Sequence, residues 1–271
     1  MAELLPIAHR FAAVLEQVPA PSADQDPAVA AHAIASATRQ FGWSLAVSHW
    51  RIGVEAEALG ADVDLDETGT AVTARTLGSA EAAASVTTAA AIRHELAVTR
   101  GARGALGSET GLAATLTGPR TLSALLHDGG GRLDVLYGPL IRAYVEAGAD
   151  RLLVVETSQP RQSSSQEGHS RALRSLISTA RYFRAATMML DLSRTDLARY
   201  TGFDHVFGRD DAVLLAPGAI CGAPADSPSG LAEAAIATTA GQIPADCPPD
   251  LVARWTEHLR APGPPARPTV S

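Results

Sequence analysis

Lysine is missing from this chain of 271 residues, in which all 22 basic residues are arginine. Schiff-base aldolases, pyridoxal-phosphate enzymes and phosphate-binding Gly-Lys-Ser/Thr loops all depend on a lysine side chain. The sequence therefore excludes these three classes and, with them, a pyridoxal-phosphate cofactor. No G-x-G-x-x-G motif follows any apolar run, which argues against an NAD-binding Rossmann domain.

Cysteine is also rare, since the chain contains only Cys221 and Cys247. Two cysteines do not make a disulfide framework, which favours a reducing compartment. The net charge of −7 argues against nucleic acid as a partner. No apolar run approaches the ~20 residues of a membrane span, and the N-terminus lacks the basic flank and apolar core of a signal peptide. We therefore expect a cytoplasmic protein that does not bind membranes.

Apolar strands and amphipathic helices alternate along the rest of the chain. Residues 111–117 and 152–156 are apolar runs with a helical segment between them, which predicts a β-α-β crossover with both strands buried. Further strands are predicted at 45–49, 187–192, 205–207 and 213–216, and helices within 1–40 and at 79–103, 171–184, 194–200 and 228–240. The alternation favours a shortened (β/α)8 TIM barrel with a β-hairpin near residues 63–76, ahead of a doubly wound open sheet. We expect one catalytic domain over residues 1–260 and a disordered Pro-rich tail over 261–271.

Polar residues stand at the carboxyl ends of several predicted strands, where a barrel builds its site. Glu156 and Asp191 each follow an apolar run, and burial there raises the pKa of an acid and suits it to proton transfer. Each acid has an equally weighted structural alternative, in which it caps a helix or pairs with an arginine. Both are candidate catalytic residues.

Five residues are candidates for substrate binding. Arg120, after Gly118-Pro119, is either an anion clamp or a solvated side chain. His49 either binds a substrate carboxylate or packs in the core. The polar segment 157–170 is predicted to be a mobile lid. The five candidates are Thr117, at a strand end, with His49, Arg120 and the lid residues Arg161 and His169.

Four segments, in order, resemble a known superfamily. They are Val54-Glu-Ala-Glu-Ala-Leu-Gly60, Thr117-Gly-Pro-Arg-Thr-Leu122, Tyr144-Val-Glu-Ala-Gly-Ala-Asp150 and the Pro-Gly-Cys-like stretch from Ala216 to Pro228. Their order and spacing resemble the uroporphyrinogen decarboxylase superfamily, with the cobalamin-independent methionine synthase domain and, closest in motif order, the corrinoid:coenzyme M methyltransferases. The resemblance covers roughly residues 40–240 and implies a (β/α)8 barrel.

The methyltransferase branch holds a substrate thiol on zinc through a His-x-Cys and a later cysteine, and zinc lowers the pKa of that thiol. The resemblance places Cys221 at the later cysteine, but Asp191-Leu-Ser193 stands where the His-x-Cys belongs. It thus implies a zinc ligand at Cys221 with Asp191 as a candidate co-ligand. On spacing alone, Cys221 is instead a small buried residue. The arginine-rich N-terminal signature of the decarboxylases is missing.

We therefore expect a diverged enzyme, suited to specialised metabolism, that transfers a methyl or alkyl group on a small molecule. A corrinoid or methyl-donor protein is the partner that the resemblance implies, and a homo-oligomer is a further option. The first alternative is a metal-free decarboxylase or C–C lyase, in which Asp191 donates the proton and Arg120 or Arg161 grips a carboxylate. The second alternative is a non-catalytic barrel subunit or binding protein.

Overall fold

The computed structural model describes residues 3–65, 71–74, 86–126, 133–157, 166–193, 197–208, 214–215, 236–239 and 242–260. Its strands are β1 (Glu3–Leu5), β2 (Leu45–Val47), β3 (Val63–Leu65), β4 (Ala71–Ala74), β5 (Gly111–Thr117), β6 (Arg151–Glu156), β7 (Ala186–Asp191), β8 (His205–Gly208), β9 (Leu214–Leu215) and β10 (Ile236–Thr239). Its helices are α1 (His9–Leu15), α2 (Ala20–Gln25), α3 (Pro27–Phe41), α4 (Val54–Ala58), α5 (Ala90–Leu106), α6 (Pro119–Leu125), α7 (Leu133–Glu146), α8 (Gln166–Tyr182) and α9 (Pro249–Arg260).

Eight of these strands form two parallel sheets. One sheet has the order β2-β5-β6-β7-β8, and the other has the order β1-β10-β9. The first described strand thus pairs with the last described strand, and β1 also lies beside β2. Within the described ranges, no backbone ladder joins the two sheets. The α/β class with parallel strands is confirmed, while closure of a complete barrel stays a prediction.

The strands are buried on both faces because their apolar residues alternate between two cores. Leu153 and Val155 of β6 lie in a cluster with Leu5 and Ile7, from β1 and just after it. Leu152 and Val154 point the other way and pack with residues of α6, α7 and α8. Period-two alternation in a strand separates its side chains in this way. Residues of both sheets therefore share one inner core, and the helices cover the outside.

Helix α3 begins and ends at capping residues that are typical of helix termini. The Asp26 side chain accepts a hydrogen bond from the Ala28 backbone at 2.9 Å, and Pro27 occupies the first helical position. Gly42 ends the helix in the left-handed conformation with φ of 62°, which glycine adopts without a steric penalty. Helix α3 packs against α5 and leads directly into β2.

Several predicted elements are confirmed and others are wrong. The crossover from β5 to β6 is parallel as expected, and the hairpin is the antiparallel pair β3–β4. The helix predicted at 228–240 is wrong over residues 236–239, which form β10 between β1 and β9. Alanine and threonine there gave no clear period, and pairing on both sides decided the conformation. Residues 228–235 lie outside the described part of the chain.

Other differences concern the ends of the chain and the predicted lid. Residues 3–5 are a strand, not part of a helix, and α9 was not predicted. The helix predicted at 194–200 is, in its described part, a short 3-10 turn at Leu197–Arg199. Helix α8 already begins at Gln166, so the last part of the predicted lid is helical, while residues 158–165 and the tail 261–271 lie outside the described residues. No described helix is both long and apolar enough to cross a membrane.

Candidate functional site

Three predicted site residues lie together at the carboxyl ends of adjacent strands. Thr117 ends β5, Glu156 ends β6 and Asp191 ends β7. The strand register places Glu156 opposite Asp191, and Thr117 opposite Val155. All three side chains are buried. The register therefore brings these three residues, which are distant in sequence, to one edge of the sheet.

Arg120 joins the two acids. Its Nη2 donates to Asp191 Oδ2 at 2.8 Å and to the Tyr200 hydroxyl at 2.5 Å, while its Nε lies 3.6 Å from Glu156 Oε1. The Tyr200 hydroxyl in turn donates to Asp191 Oδ2 at 2.7 Å. A planar guanidinium suits such paired recognition of carboxylates. The structure therefore shows the alternative in which these acids pair with an arginine. We call Arg120, Glu156, Asp191 and Tyr200 the buried ion cluster.

Glu156 also caps the first turn of α6, the helix that follows the neighbouring strand. Its carboxylate accepts from the backbone N–H of Arg120 at 3.1 Å and of Thr121 at 2.8 Å. Gly118 makes this approach feasible, because a Cβ built there would lie 2.3 Å from Glu156 Cδ. Glycine after β5 thus allows a close contact with an acid from β6. The sequence pattern alone did not reveal this contact.

The pKa values of the two acids of the cluster are shifted in opposite directions. Burial raises the pKa of Glu156, and the Arg120 charge and the N–H donors only partly oppose it. Burial also acts on Asp191, but hydrogen bonds from Ser193 and Tyr200 outweigh it and lower the pKa of Asp191. Asp191 is consequently a carboxylate at neutral pH. It is poorly suited to the proton donation that the decarboxylase alternative assigns to it.

The side chains of Thr117 and His49 are occupied by contacts with other residues of the protein. The Thr117 hydroxyl accepts from the Gly53 backbone at 2.7 Å and donates to Glu55, which fastens α4 to the end of β5. His49 is fully buried, stacks on Tyr144 at 5.2 Å, and pairs with Ser48 Oγ and the Thr115 carbonyl. Burial lowers the pKa of His49 to about 3. The neutral imidazole carries no charge with which to hold a substrate carboxylate.

A cleft of about 140 Å³ opens at the carboxyl ends of β10, β1 and β2. His49 is part of its wall, and the other lining residues include His9, Asp24, Trp50, Arg51, Glu95 and Gln242. These residues come from chain segments far apart in sequence, including α1, α2 and α5. The cleft thus sits on the face where parallel α/β folds place their binding sites.

Glu95 is the most unusual group in the cleft. Its side chain is 5% exposed, and burial raises its pKa to about 8, although the Arg51 charge opposes the shift. Arg51 Nη1 lies 3.8 Å from Glu95 Oε1, but the same guanidinium donates to Glu57 at 2.5 Å. Glu95 therefore keeps its proton at neutral pH. Sequence reasoning missed it because it lies within an alanine-rich helix, where a glutamate is usually solvated.

His169 lies in the first turn of α8 and is largely buried. Its Nε2 has no hydrogen-bond partner in the described part of the chain, and burial, followed by the Arg120 charge, lowers its pKa. His169 is thus near the buried ion cluster, as a neutral ring. Arg161 and Cys221 lie outside the described residues, so their predicted roles stay predictions.

A zinc ion bound by Asp191 does not fit the observed contacts. Asp191 Oδ1 accepts from Ser193 N and Ser193 Oγ, and Oδ2 accepts from Arg120 and Tyr200. A metal would have to displace these donors and lie beside a guanidinium. In the described ranges, no group of three or more His, Cys, Asp or Glu residues is arranged to hold a metal ion.

Comparison with known proteins agrees with the fold. Residues 6–137 match the uroporphyrinogen decarboxylase (URO-D) family. No curated protein matches the sequence. A methyltransferase from Methanosarcina mazei has a similar structure with a TM-score of 0.71 and 14% identity, over 96% of this chain and 94% of that one. A 2,3-dimethylmalate lyase, a PEP mutase/isocitrate lyase superfamily member, has a TM-score of 0.48 and 13% identity over 94% and 77%, which is too distant to carry an argument. The family match and the shared fold confirm the resemblance of this chain to the uroporphyrinogen decarboxylase-like superfamily.

Proposed function

We propose that this protein is a methyl- or alkyl-transferring enzyme that binds a small molecule in the cleft beside Glu95. The observation that carries the proposal is Glu95 itself, a buried acid whose pKa is raised to about 8 in the wall of a cleft. Strongly perturbed acids in clefts are typical of catalytic sites. The methyltransferase from Methanosarcina mazei supports the reaction class, because its fold matches nearly the whole length of both chains.

A closed (β/α)8 barrel is part of the proposal. Eight parallel strands, the pairing of β1 with β10 and an inner core shared by both sheets support it. In a barrel, the first and last strands must pair, and the inward side chains fill the centre. Closure brings the cleft at β10, β1 and β2 to the same rim as the buried ion cluster at β5, β6 and β7.

Transfer of a methyl group leaves the donor heteroatom with an extra electron pair. The bond from the methyl carbon to that atom breaks as the acceptor nucleophile forms its own bond to carbon. A proton delivered to the leaving atom removes the developing negative charge, which lowers the barrier. Glu95 holds such a proton at neutral pH, and Arg51, at 3.8 Å, stabilises the carboxylate that results. The acceptor is a thiol or a corrinoid protein in this proposal.

The buried ion cluster has a positioning role in the proposed enzyme. Glu156 fixes the start of α6, and Asp191 fixes Arg120, so both acids act through their neighbours. Zinc at Cys221 stays a prediction, and no step here uses it. Elemental analysis of the purified protein, together with Cys221→Ala, tests that prediction.

A decarboxylase or C–C lyase is the second candidate, and the cleft also favours it. Loss of CO2 leaves a carbanion that needs a proton, and Glu95 can supply it where Asp191 cannot. Arg51 lies in the same cleft for a carboxylate. Release of CO2 without transfer of a methyl group distinguishes this reaction. A non-catalytic binding protein is the third candidate, and any measured turnover eliminates it.

The test is transfer of a deuterated methyl group. Purified protein is incubated with methyl ethers, methylamines or methyl thioethers and a thiol acceptor, with and without a corrinoid, and products are measured by mass spectrometry. We expect Glu95→Gln to lower turnover by about 10²–10⁴-fold, the usual contribution of a general acid. Glu146→Gln is the control, because Glu146 is exposed on α7 and pairs only with Arg142 among the ion pairs of the described residues. Unchanged turnover in Glu95→Gln would contradict the proposed role of Glu95 as the general acid.

A further inference from the structure

Arg51 stands between two acids and contacts one of them far more closely than the other. Its Nη2 donates to Glu57 Oε2 at 2.5 Å, while its Nη1 lies 3.8 Å from Glu95 Oε1, which is beyond hydrogen-bond reach. The Glu57 side chain is 38% exposed, whereas the Glu95 side chain is 5% exposed. The guanidinium is thus turned towards the acid that water already solvates and away from the acid that is buried.

Glu57 is held in this position by the contacts of α4. The Gly53 backbone N–H, at the start of this helix, donates to the Thr117 hydroxyl at 2.7 Å, and the Thr117 backbone N–H donates to Glu55 at 3.1 Å. Helix α4 is thereby fastened to the end of β5, and it also packs against α5. A carboxylate on a helix that is fixed in this way loses little further freedom when it holds a guanidinium.

Arg51 is the charge with the strongest effect on Glu95. Burial raises the pKa of Glu95 to about 8, and the Arg51 charge opposes that rise. The charges that add to the rise are, in decreasing order, those of Glu55, Asp24 and Glu57. The other titratable or charged residues of the cleft wall are His9, Arg10, His49 and His94. A guanidinium that moved into contact with Glu95 would lower its pKa much further, because the attraction grows as the distance falls.

We propose that Glu57 is a positioning residue of the cleft, which holds the Arg51 guanidinium back from Glu95 and so keeps Glu95 in its acid form. The proposal rests on the proposed function, in which Glu95 delivers a proton to the substrate. Among the described residues, Glu57 is not part of the cleft wall, so it acts through Arg51 and not by contact with a substrate. Without Glu57, Arg51 would pair with Glu95 and ionise it before its proton is needed.

The test measures the ionisation of Glu95 by NMR, independently of turnover. Glutamate labelled at the side-chain carboxyl is incorporated, and the Glu95 signal is identified by its absence in Glu95→Gln and followed as pH rises. We expect a titration midpoint of about 8 in the wild type and below about 7 in Glu57→Gln, because a cation in contact lowers the pKa of an acid by about one unit or more. Glu146→Gln is the matched control, since it takes the acid from another arginine pair, and it should leave the midpoint unchanged.

A double variant separates action through Arg51 from direct repulsion between the two acids. In the Arg51→Ala protein, Glu57→Gln should lower the midpoint by less than about half as much as it does alone. An unchanged midpoint in Glu57→Gln, or an equal fall with and without Arg51, would overturn the proposal. Should Glu57→Gln fail to fold, Glu57→Ala removes the same charge, and the same two results decide the question.

Failure of the proposed function is distinguishable from failure of this proposal. If the midpoint of Glu95 falls in Glu57→Gln but the wild type transfers no methyl group, the proposed function is contradicted and the positioning role stands. If transfer is observed, the loss of turnover at alkaline pH should begin at a lower pH in Glu57→Gln than in the wild type, because a general acid works only while it holds its proton. A turnover profile that does not move with pH in this variant would contradict the positioning role.

Discussion

Two arginines each lie near a buried acid at the carboxyl ends of the described strands, and the two acids behave in opposite ways. In the buried ion cluster, Arg120 contacts Asp191 at 2.8 Å, and Ser193 and Tyr200 add hydrogen bonds to the same carboxylate. In the cleft, Arg51 stands 3.8 Å from Glu95 and donates instead to Glu57. The pKa of Asp191 is lowered and that of Glu95 is raised to about 8. At Asp191 the hydrogen bonds from Ser193 and Tyr200, together with the Arg120 charge, outweigh burial, whereas at Glu95 burial outweighs the Arg51 charge.

The largest effect should come from removing the arginine of the buried ion cluster. Arg120→Ala leaves Asp191 as a buried carboxylate without its cation, and Glu156 without a nearby positive charge. We expect the free energy of unfolding to fall by about 3–5 kcal/mol, the usual cost of breaking a buried ion pair from one side. Denaturant titration measures it, with Arg142→Ala as the control, because Arg142 and Glu146 are exposed. Equal losses in the two variants would show that the cluster adds nothing to stability.

The second effect concerns pH, and it separates the two acids. Folded Glu95 holds its proton up to a pKa of about 8, whereas an ordinary glutamate loses it near 4.5. The stabilisation from this proton is therefore complete below pH 4.5 and is lost as pH rises through about 8. Between pH 5 and 8, we expect the free energy of unfolding to fall by roughly 3–4 kcal/mol more in the wild type than in Glu95→Gln.

Asp191 makes the opposite contribution outside that window. Its pKa is lowered from 3.8, so its stabilisation is present above that value and is lost only as pH falls further. Asp191→Asn should therefore leave the change between pH 5 and 8 as it is in the wild type. Chemical denaturation at several pH values gives both comparisons. If the free energy of unfolding changes equally with pH in the wild type and in Glu95→Gln between pH 5 and 8, Glu95 is not protonated in the folded protein.

The two sites also differ in how far the sequence revealed them. Glu156 and Asp191 end long apolar runs, and a parallel sheet brings strand ends together, so their meeting could be predicted, as could the approach of Arg120 just after β5. The position of Glu95 in the cleft could not be predicted, because its burial depends on how α5 packs over the ends of other elements. The same difference holds for the fold. Strands β5, β6 and β7 are clear in the sequence, whereas the sequence predicts a helix at β10, because alanine and threonine leave the conformation to be decided by strand pairing.

The smallest effect should come from the arginine of the cleft. Arg51 and Glu57 are about one third exposed, at 31% and 38%, and Glu95 beside them is protonated. Arg51→Ala should therefore lower the free energy of unfolding by less than about 1 kcal/mol, as for a solvent-screened pair. It should also raise the pKa of Glu95 further, because the Arg51 charge is what holds that pKa down, and the decline of stability with pH should then extend above pH 8. A loss as large as that of Arg120→Ala would mean that Arg51 and Glu95 form an ionised pair, and the contrast between the two sites would disappear.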